Sequence, residues 1–256
     1  MAGHSHFANI MRIKARVDAK RGKAFSKISR LIQAAVRQGG SNPRDNLRLQ
    51  YAIEKAKAAN MPKDTIQRII DKAAGAAGSD DFQEVTYEAY GPGGVAILIE
   101  ALTDNRKRTA PEIRVIFDRN GGNIGSSGSV AWMFERKGLF EVPIDRTTEE
   151  ELFEIVIDAG AEDITREGEG EEGERFIVAC PVPAFEDVKA ALAAANIEPS
   201  RSELEMTPTS TVEADETVAR KVMKIQGLLE DNDDVQTVTT NLEVSEAVAA
   251  KLAASD

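Results

Sequence analysis

Residues 139–208 carry six segments in an order that few architectures accept. Alternating or apolar runs in LFEVPI, EDITREG, ERFIVACP and SELEMTP read as strands, while TTEEELFEIVIDAG and AFEDVKAALAAANI have helical spacing. Strand, helix, two strands, helix, strand is the order of the ferredoxin-like motif. This stretch is therefore expected to fold as an α+β body of its own.

The flanks read as a second α+β unit. EVTYEAY and VAILIEAL surround GPGG, which marks a β-hairpin. A phosphate-cradling loop is the weaker reading of those glycines, because it needs a helix N-terminus and here a strand follows. Thr109–Glu112, T-A-P-E, has the form of a capping box with proline in the first turn, which starts a helix there. That start leaves Arg106, Lys107 and Arg108 in the preceding loop, where a phosphate would meet cations and free amides together. The bland reading is a plain charged surface loop. NGGNIGSSGS follows as a glycine-serine loop of mobile character, and VAWMFERKG as a further strand. Beyond residue 208, the helix DETVARKVMKIQGLLEDN and strand DVQTVTTNLEV have no partner in the ferredoxin-like unit. They would complete the earlier ββαβ piece, making the ferredoxin-like unit an insertion.

The first 77 residues read as helices. On a wheel of about 100° per residue, Arg12, Arg16, Lys20, Lys23, Lys27 and Arg30 fall in one sector of roughly 80°. Lys14 and Arg21 lie nearer the apolar side, which holds Ile13, Val17, Phe25, Ile28 and Leu31. Gly22 is a weak point that divides the stripe into two segments, since glycine costs about 1 kcal/mol against alanine inside a helix. Asn42 and Pro43 signal a second helix and Pro62 a third. The expected fold class is thus α+β and multidomain: a helical bundle at 1–77, an α+β domain at 78–137 plus 208–256, and an inserted ferredoxin-like domain at 138–207.

Charge is segregated along the same boundary. Residues 1–75 hold 16 basic and 5 acidic side chains, a formal +11, whereas the remainder holds 16 basic and 38 acidic, a formal -22, to give the chain's net -11. A solvated face normally mixes signs with i,i+4 partners, and this stripe has Asp18 as the only acid up to Arg30. A basic head on an acidic body suits a polyanion partner whose binding the body limits.

Other classes find little support. One cysteine, Cys180, excludes an internal disulfide and a multi-cysteine zinc site. No apolar run nears the roughly 18 residues of a membrane span, and the N-terminus lacks a secretory apolar core, so a cytoplasmic protein is expected. An Arg-rich, acid-poor head is also compatible with a mitochondrial transit segment. Gly168–Gly173, G-E-G-E-E-G, matches a dinucleotide fingerprint in letters alone: it joins two strands and its glutamates would repel a pyrophosphate. No phosphate-loop, zinc-protease or nucleophile-elbow motif occurs, so no catalytic residue, cofactor or small-molecule substrate is implied. Ala2-Gly3-His4 would bind Cu(II) or Ni(II) if Met1 were removed, but three residues at a terminus match by chance, and no metal site is assigned.

Read together, MAGHSHFANI, DAKRGKAFSK, AIEKAKAANMPKD, YEAYGPGGVA, LTDNRKRT, NGGNIGSSGSV and FERKG resemble the YebC/PmpR family, which includes the mitochondrial translational activator of cytochrome oxidase. The resemblance runs over nearly the full length. It implies a helical domain followed by two α+β domains, the last inserted, and a non-enzymatic, cytoplasmic, DNA-binding regulator of transcription. Other members act at the ribosome in translation. The family's usual G-H-S-K-W-A-N-I is altered here at His6 and Phe7, with Met11 and Ile13 nearby, which removes cations from the first dozen residues. The expected nucleic-acid contacts are Arg12, Lys14, Arg16, Lys20, Arg21, Lys23, Lys27 and Arg30, with Arg106, Lys107 and Arg108. DNA is the first partner, with ribosomal RNA or tRNA on the ribosome the alternative, and an enzyme with an unrecognised acidic site the third reading.

Overall fold

The computed structural model describes residues 21–75, 82–168 and 174–254. Its described residues form two compact units, one from Trp132 to Thr211 and one from the residues on either side.

The second of these units opens with three helices. The described part of α1 is Arg21–Gly39, followed by α2 (Leu47–Ala58) and α3 (Lys63–Gly75). Ile28, Ile32, Val36, Leu49, Ala52, Met61, Ile66 and Ile70 interdigitate as their shared core. Helix α2 starts later than the Asn42-Pro43 signal suggests. Asn42 spends its side-chain oxygen on the amide of Arg44 in a local turn, and the cap is Asn46. Buried Asn46 accepts from the Leu49 amide at 3.1 Å and donates to the carbonyls of Ala35 and Gly40 at 2.7 and 2.8 Å. One amide side chain thereby caps α2 and ties it to the end of α1.

The chain then forms β1 (Gln83–Tyr90) and β2 (Ala96–Thr103), antiparallel from Gln83↔Thr103 to Tyr90↔Ala96. Their turn requires glycine at position 93, where φ is +73° and a Cβ would lie 2.8 Å from Val218. Helix α4 (Arg106–Asn120) and the short β3 (Asn123–Ile124) follow.

Within the Trp132–Thr211 unit the order is β4 (Phe134–Pro143), α5 (Glu149–Ile157), β5 (Asp163–Glu167), β6 (Arg175–Pro181), α6 (Phe185–Ala194) and β7 (Arg201–Pro208). The sheet order β5-β6-β4-β7, antiparallel throughout, is ferredoxin-like. FERKG and LFEVP are one ten-residue strand, not the two that the glycine between them suggests. Gly138 is a site of close approach: a Cβ there would meet the Phe185 ring at 2.4 Å and Cys180 Sγ at 2.8 Å. Phe185 in turn stacks on Phe140 with centroids 4.8 Å apart, and Val142, Leu152, Val156, Val178 and Leu192 of the same unit are fully buried. Complete burial of each of these contributes about 1.5–3 kcal/mol. Helix α5 carries a full capping box, Thr148 with Glu151. Most of the G-E-G-E-E-G stretch lies outside the described residues; the strands beside it pair antiparallel at Glu167↔Arg175.

After this insertion the chain returns through β8 (Val212–Glu213), α7 (Glu216–Glu230), β9 (Val235–Thr240), β10 (Leu242–Glu243) and α8 (Glu246–Ala254). Strand β9 pairs with β2, completing a sheet of order β3-β1-β2-β9, and α7 packs on α4. The elements after residue 208 thus complete the ββαβ piece, and the ferredoxin-like unit is inserted within it.

Candidate nucleic-acid interface

Helix α7 ends at Glu230 and hands the chain to β9 through an acidic turn, Asp231-Asn232-Asp233-Asp234. Asn232 shapes the turn by accepting from the Asp234 amide at 2.9 Å, while the Leu102 amide donates to the Asp234 carbonyl at 2.7 Å. The Asp234 side chain, only 3% exposed, is thereby placed between α1 and α4. Arg30 of α1 pairs with its Oδ1. Its Oδ2 receives Arg108 of α4 at 2.7 Å and lies 2.7 Å from the Thr109 hydroxyl and 3.2 Å from that of Thr103. Burial pushes this carboxyl up, and the hydrogen bonds of Arg108, Thr109 and Arg30 outweigh that and hold it below the usual carboxylate range. One carboxylate therefore joins two basic elements that stand far apart in sequence.

The same turn engages the rest of the described stripe. Lys23 Nζ lies 2.7 Å from Asp231 Oδ1, and Lys27 Nζ donates to the Glu230 carbonyl at 2.7 Å. That carbonyl belongs to the last turn of α7, where free C=O groups and the helix dipole favour a cation. Burial lowers the pKa of Lys27, against the opposing pull of Glu230, Asp233 and Asp231.

The second cation cluster is helical. Arg106, Lys107 and Arg108 form the first turn of α4 and not the loop before it, because Asn105 is the cap and accepts from the Arg108 amide at 3.2 Å. Thr109 is buried against Thr103 at 2.7 Å, and Pro111 lies inside the helix. The T-A-P-E letters therefore form no cap. Arg108 also reaches Asp104 at 2.9 Å, while Arg106 and Lys107 are exposed at a helix N-terminus, where free amides and the dipole favour anions.

Of the residues assigned from sequence, Arg12, Lys14, Arg16 and Lys20 lie outside the described residues, and Arg21 opens the described part of α1. Lys23, Lys27, Arg30 and Arg108 are brought to one acidic turn, with Arg106 and Lys107 beside Arg108 in the chain.

Two acids escaped sequence reasoning. Asp234 was hidden in a run that reads as a solvated helix end. Glu88 is only 6% exposed, and its carboxylate accepts from the amides of Gly128, Val130 and Ala131 at 2.6–2.7 Å. Burial raises its pKa, but those amides together with that of Ser129 outweigh this and hold it low. Tyr90 Oη donates to the Ser129 carbonyl at 2.8 Å, so the glycine-serine loop read as mobile is anchored to β1. In sequence Glu88 falls in phase with Glu84 and Thr86 on the polar side of the alternation of β1, so no local pattern marked it as buried.

Among the described residues no group of His, Cys, Asp and Glu could hold a metal ion, and no helix is long and apolar enough to cross a membrane. Burial pushes the Cys180 thiol up to about 11, leaving it a core group without nucleophilic character at neutral pH.

Helices at the N-terminus, then a split α+β sheet unit that carries a ferredoxin-like insertion, define an α+β multidomain class. Two family models match the chain: the TACO1/YebC N-terminal domain over residues 5–76, and the TACO1/YebC second and third domain over residues 82–242. The chain belongs to the TACO1/YebC family. It is 47% identical to a protein of Rubrobacter xylanophilus over 99% of this chain and all of that one, and 49% identical to one of Persephonella marina over 98% and all. Each of those relatives is named a probable transcriptional regulatory protein. The crystal structure of a conserved hypothetical protein from Aquifex aeolicus superposes with a TM-score of 0.78 at 47% identity, covering 91% of this chain and 94% of that one.

Proposed function

We propose that this chain is a non-enzymatic, DNA-binding regulator of transcription that grips the phosphate backbone through its helical head (1–77) and the first turn of α4. The observation that carries the reading is the convergence of α1 and α4 on Asp234, which gathers Lys23, Lys27, Arg30 and Arg108 around one acidic turn, with Arg106 and Lys107 next to Arg108 in the chain. Arg106 and Lys107 are the exposed members of this group, and Arg12, Lys14, Arg16, Lys20 and Arg21 would extend it. Lys23, Lys27, Arg30 and Arg108 contact a phosphate only in exchange for their own acids or carbonyls. Relatives named as transcriptional regulators support the same reading.

One observation favours structured RNA on the ribosome as the second reading. The stripe is built of Lys and Arg, which suit phosphates of any helix, whereas base edges are read by Asn, Gln or bidentate Arg. The test is competition of a genomic target duplex against random duplex at physiological salt, with sedimentation of the native protein in extract. Discrimination beyond about 10³ without ribosome association supports the transcriptional reading. Discrimination of about tenfold or less with co-sedimentation moves the activity to translation.

A further inference from the structure

The inserted unit has a surface of the opposite kind. Between α5 and β5 runs a groove of about 620 Å³ whose apolar lining includes Phe153, Ile157 and Ile164. Helix α5 already buries Leu152 and Val156 against the sheet, yet Phe153 and Ile157 are 53% and 41% exposed. Two apolar faces on one nine-residue helix are one more than its own fold uses. Among the described residues, strand β5 lies at the edge of its sheet and pairs with β6 alone, so its outer backbone groups have no strand partner there. Ile164 stands opposite Val178, a residue of the core under the helices, and so lines the groove from the strand side.

The rim is acidic. Helix α5 has four glutamates and no lysine or arginine, and Glu149, Glu150 and Glu154 line the groove with Glu162 and Asp163 across it. Lys137 meets Glu162 at 3.0 Å, while Glu150 and Glu154 are exposed. A polyanion is repelled here, and a cation carrying apolar side chains is attracted on both counts.

We propose that this groove is the docking site for an extended segment of a partner protein, one that intersperses Lys or Arg with aliphatic or aromatic side chains and adds to β5 as a further strand. Its backbone pairs with the outer edge of β5, alternate apolar side chains enter beside Phe153 and Ile157, and its cations meet the glutamate rim. The site is independent of the nucleic-acid reading, because its charge and its unit are different.

The experiment titrates a labelled peptide of alternating leucine and lysine, about ten residues long, into the full chain and follows fluorescence anisotropy. The counterpart with glutamate in place of lysine is the control. The Leu-Lys peptide is expected to bind and the Leu-Glu peptide not. The double variant Phe153→Ser, Ile157→Ser keeps Leu152 and Val156, and is expected to retain its circular dichroism while losing about tenfold or more in affinity. Glu150→Gln with Glu154→Gln is expected to weaken binding and flatten its salt dependence. Unchanged affinity in the serine variant would overturn the proposal, because attraction would then come from the acidic surface at large. Dimerisation of the wild type that the serine variant abolishes would overturn it too, by making a second copy the occupant.

Discussion

Helices α1 and α5 each present one sign of charge, and the molecule treats them differently. The cations of α1 meet an acidic turn of the same chain: Lys23 finds Asp231, Lys27 the Glu230 carbonyl and Arg30 the buried Asp234. The glutamates of α5 meet no cation on their own helix, and two of its apolar residues, Phe153 and Ile157, stay exposed. A run of one sign in a sequence therefore has two outcomes, internal neutralisation or a surface held open for a partner. The second kind alone contributes its full charge to binding.

Breaking the neutralised side should have the largest effect. Asp234→Ala leaves Arg30, Arg108, Thr103 and Thr109 without the acceptor they share, and a broken buried ion pair costs about 3–5 kcal/mol. Thermal unfolding of the variant is expected on the order of 10 °C below wild type. The folded-state pKa of Asp234 is depressed, so its contribution is present above the unfolded carboxylate value, about 3.9, and is lost as pH falls through the folded value. Wild-type stability should therefore fall with acidification below about pH 4, and part of that fall should be missing in Asp234→Ala. An unfolding midpoint equal to wild type at neutral pH would show that α1 and α4 do not depend on this carboxylate.

The next effect concerns a carboxylate neutralised by backbone and not by cations. Glu88→Ala removes the acceptor of three amides in the loop from Gly128 to Ala131. With hydrogen bonds to a charged acceptor contributing about 1.5–3 kcal/mol and water able to replace part of them, a loss of about 2–3 kcal/mol is expected. Hydrogen exchange at Gly128, Val130 and Ala131 is the direct readout. Protection unchanged at these amides would mean that the loop is held by Tyr90 and its own turns.

These acids also mark what could be read from the chain. The ferredoxin-like insertion was legible because its alternation and helical spacing are local, and so was the capping box of Thr148 and Glu151. The start of α4 was not. Asn105 and Thr109 both have cap chemistry, and the choice between them is made by Asp234, which draws the Thr109 hydroxyl inward. Candidate cations were legible as a sign and a periodicity. Whether each is free depends on a turn some 200 residues later in the chain, and no local pattern carries that information.

Salt dependence compares the paired with the open cations directly. Each phosphate contact on duplex DNA contributes about 0.9 to the slope of log K against log salt. If the head and α4 hold the backbone, Arg106→Ala with Lys107→Ala should flatten the slope by about 1.8. Lys23→Ala with Lys27→Ala should flatten it less, because those cations leave Asp231 and the Glu230 carbonyl to reach a phosphate. Equal flattening by the two pairs would show that the acidic turn gives way completely in the complex.

The smallest expected effect is on stability at the exposed ridge of α5. Phe153 is 53% exposed, whereas Leu152 and Val156 are wholly buried beneath it. Phe153→Ser removes little apolar area from the fold and leaves no buried polar group unpaired. Substitutions of this kind stay within about 0.5 kcal/mol, whereas Leu152→Ala should cost about 2–5 kcal/mol through the cavity it leaves. Urea unfolding of the two variants compares neighbours on one helix that differ in which side of it they face. A Phe153 variant as unstable as the Leu152 variant would show that the ridge belongs to the core, and that the open side of α5 is occupied from within the molecule. A Phe153 variant as stable as wild type would mean that an exposed phenylalanine among glutamates contributes little to folding, so its reason for being there would have to be sought in binding.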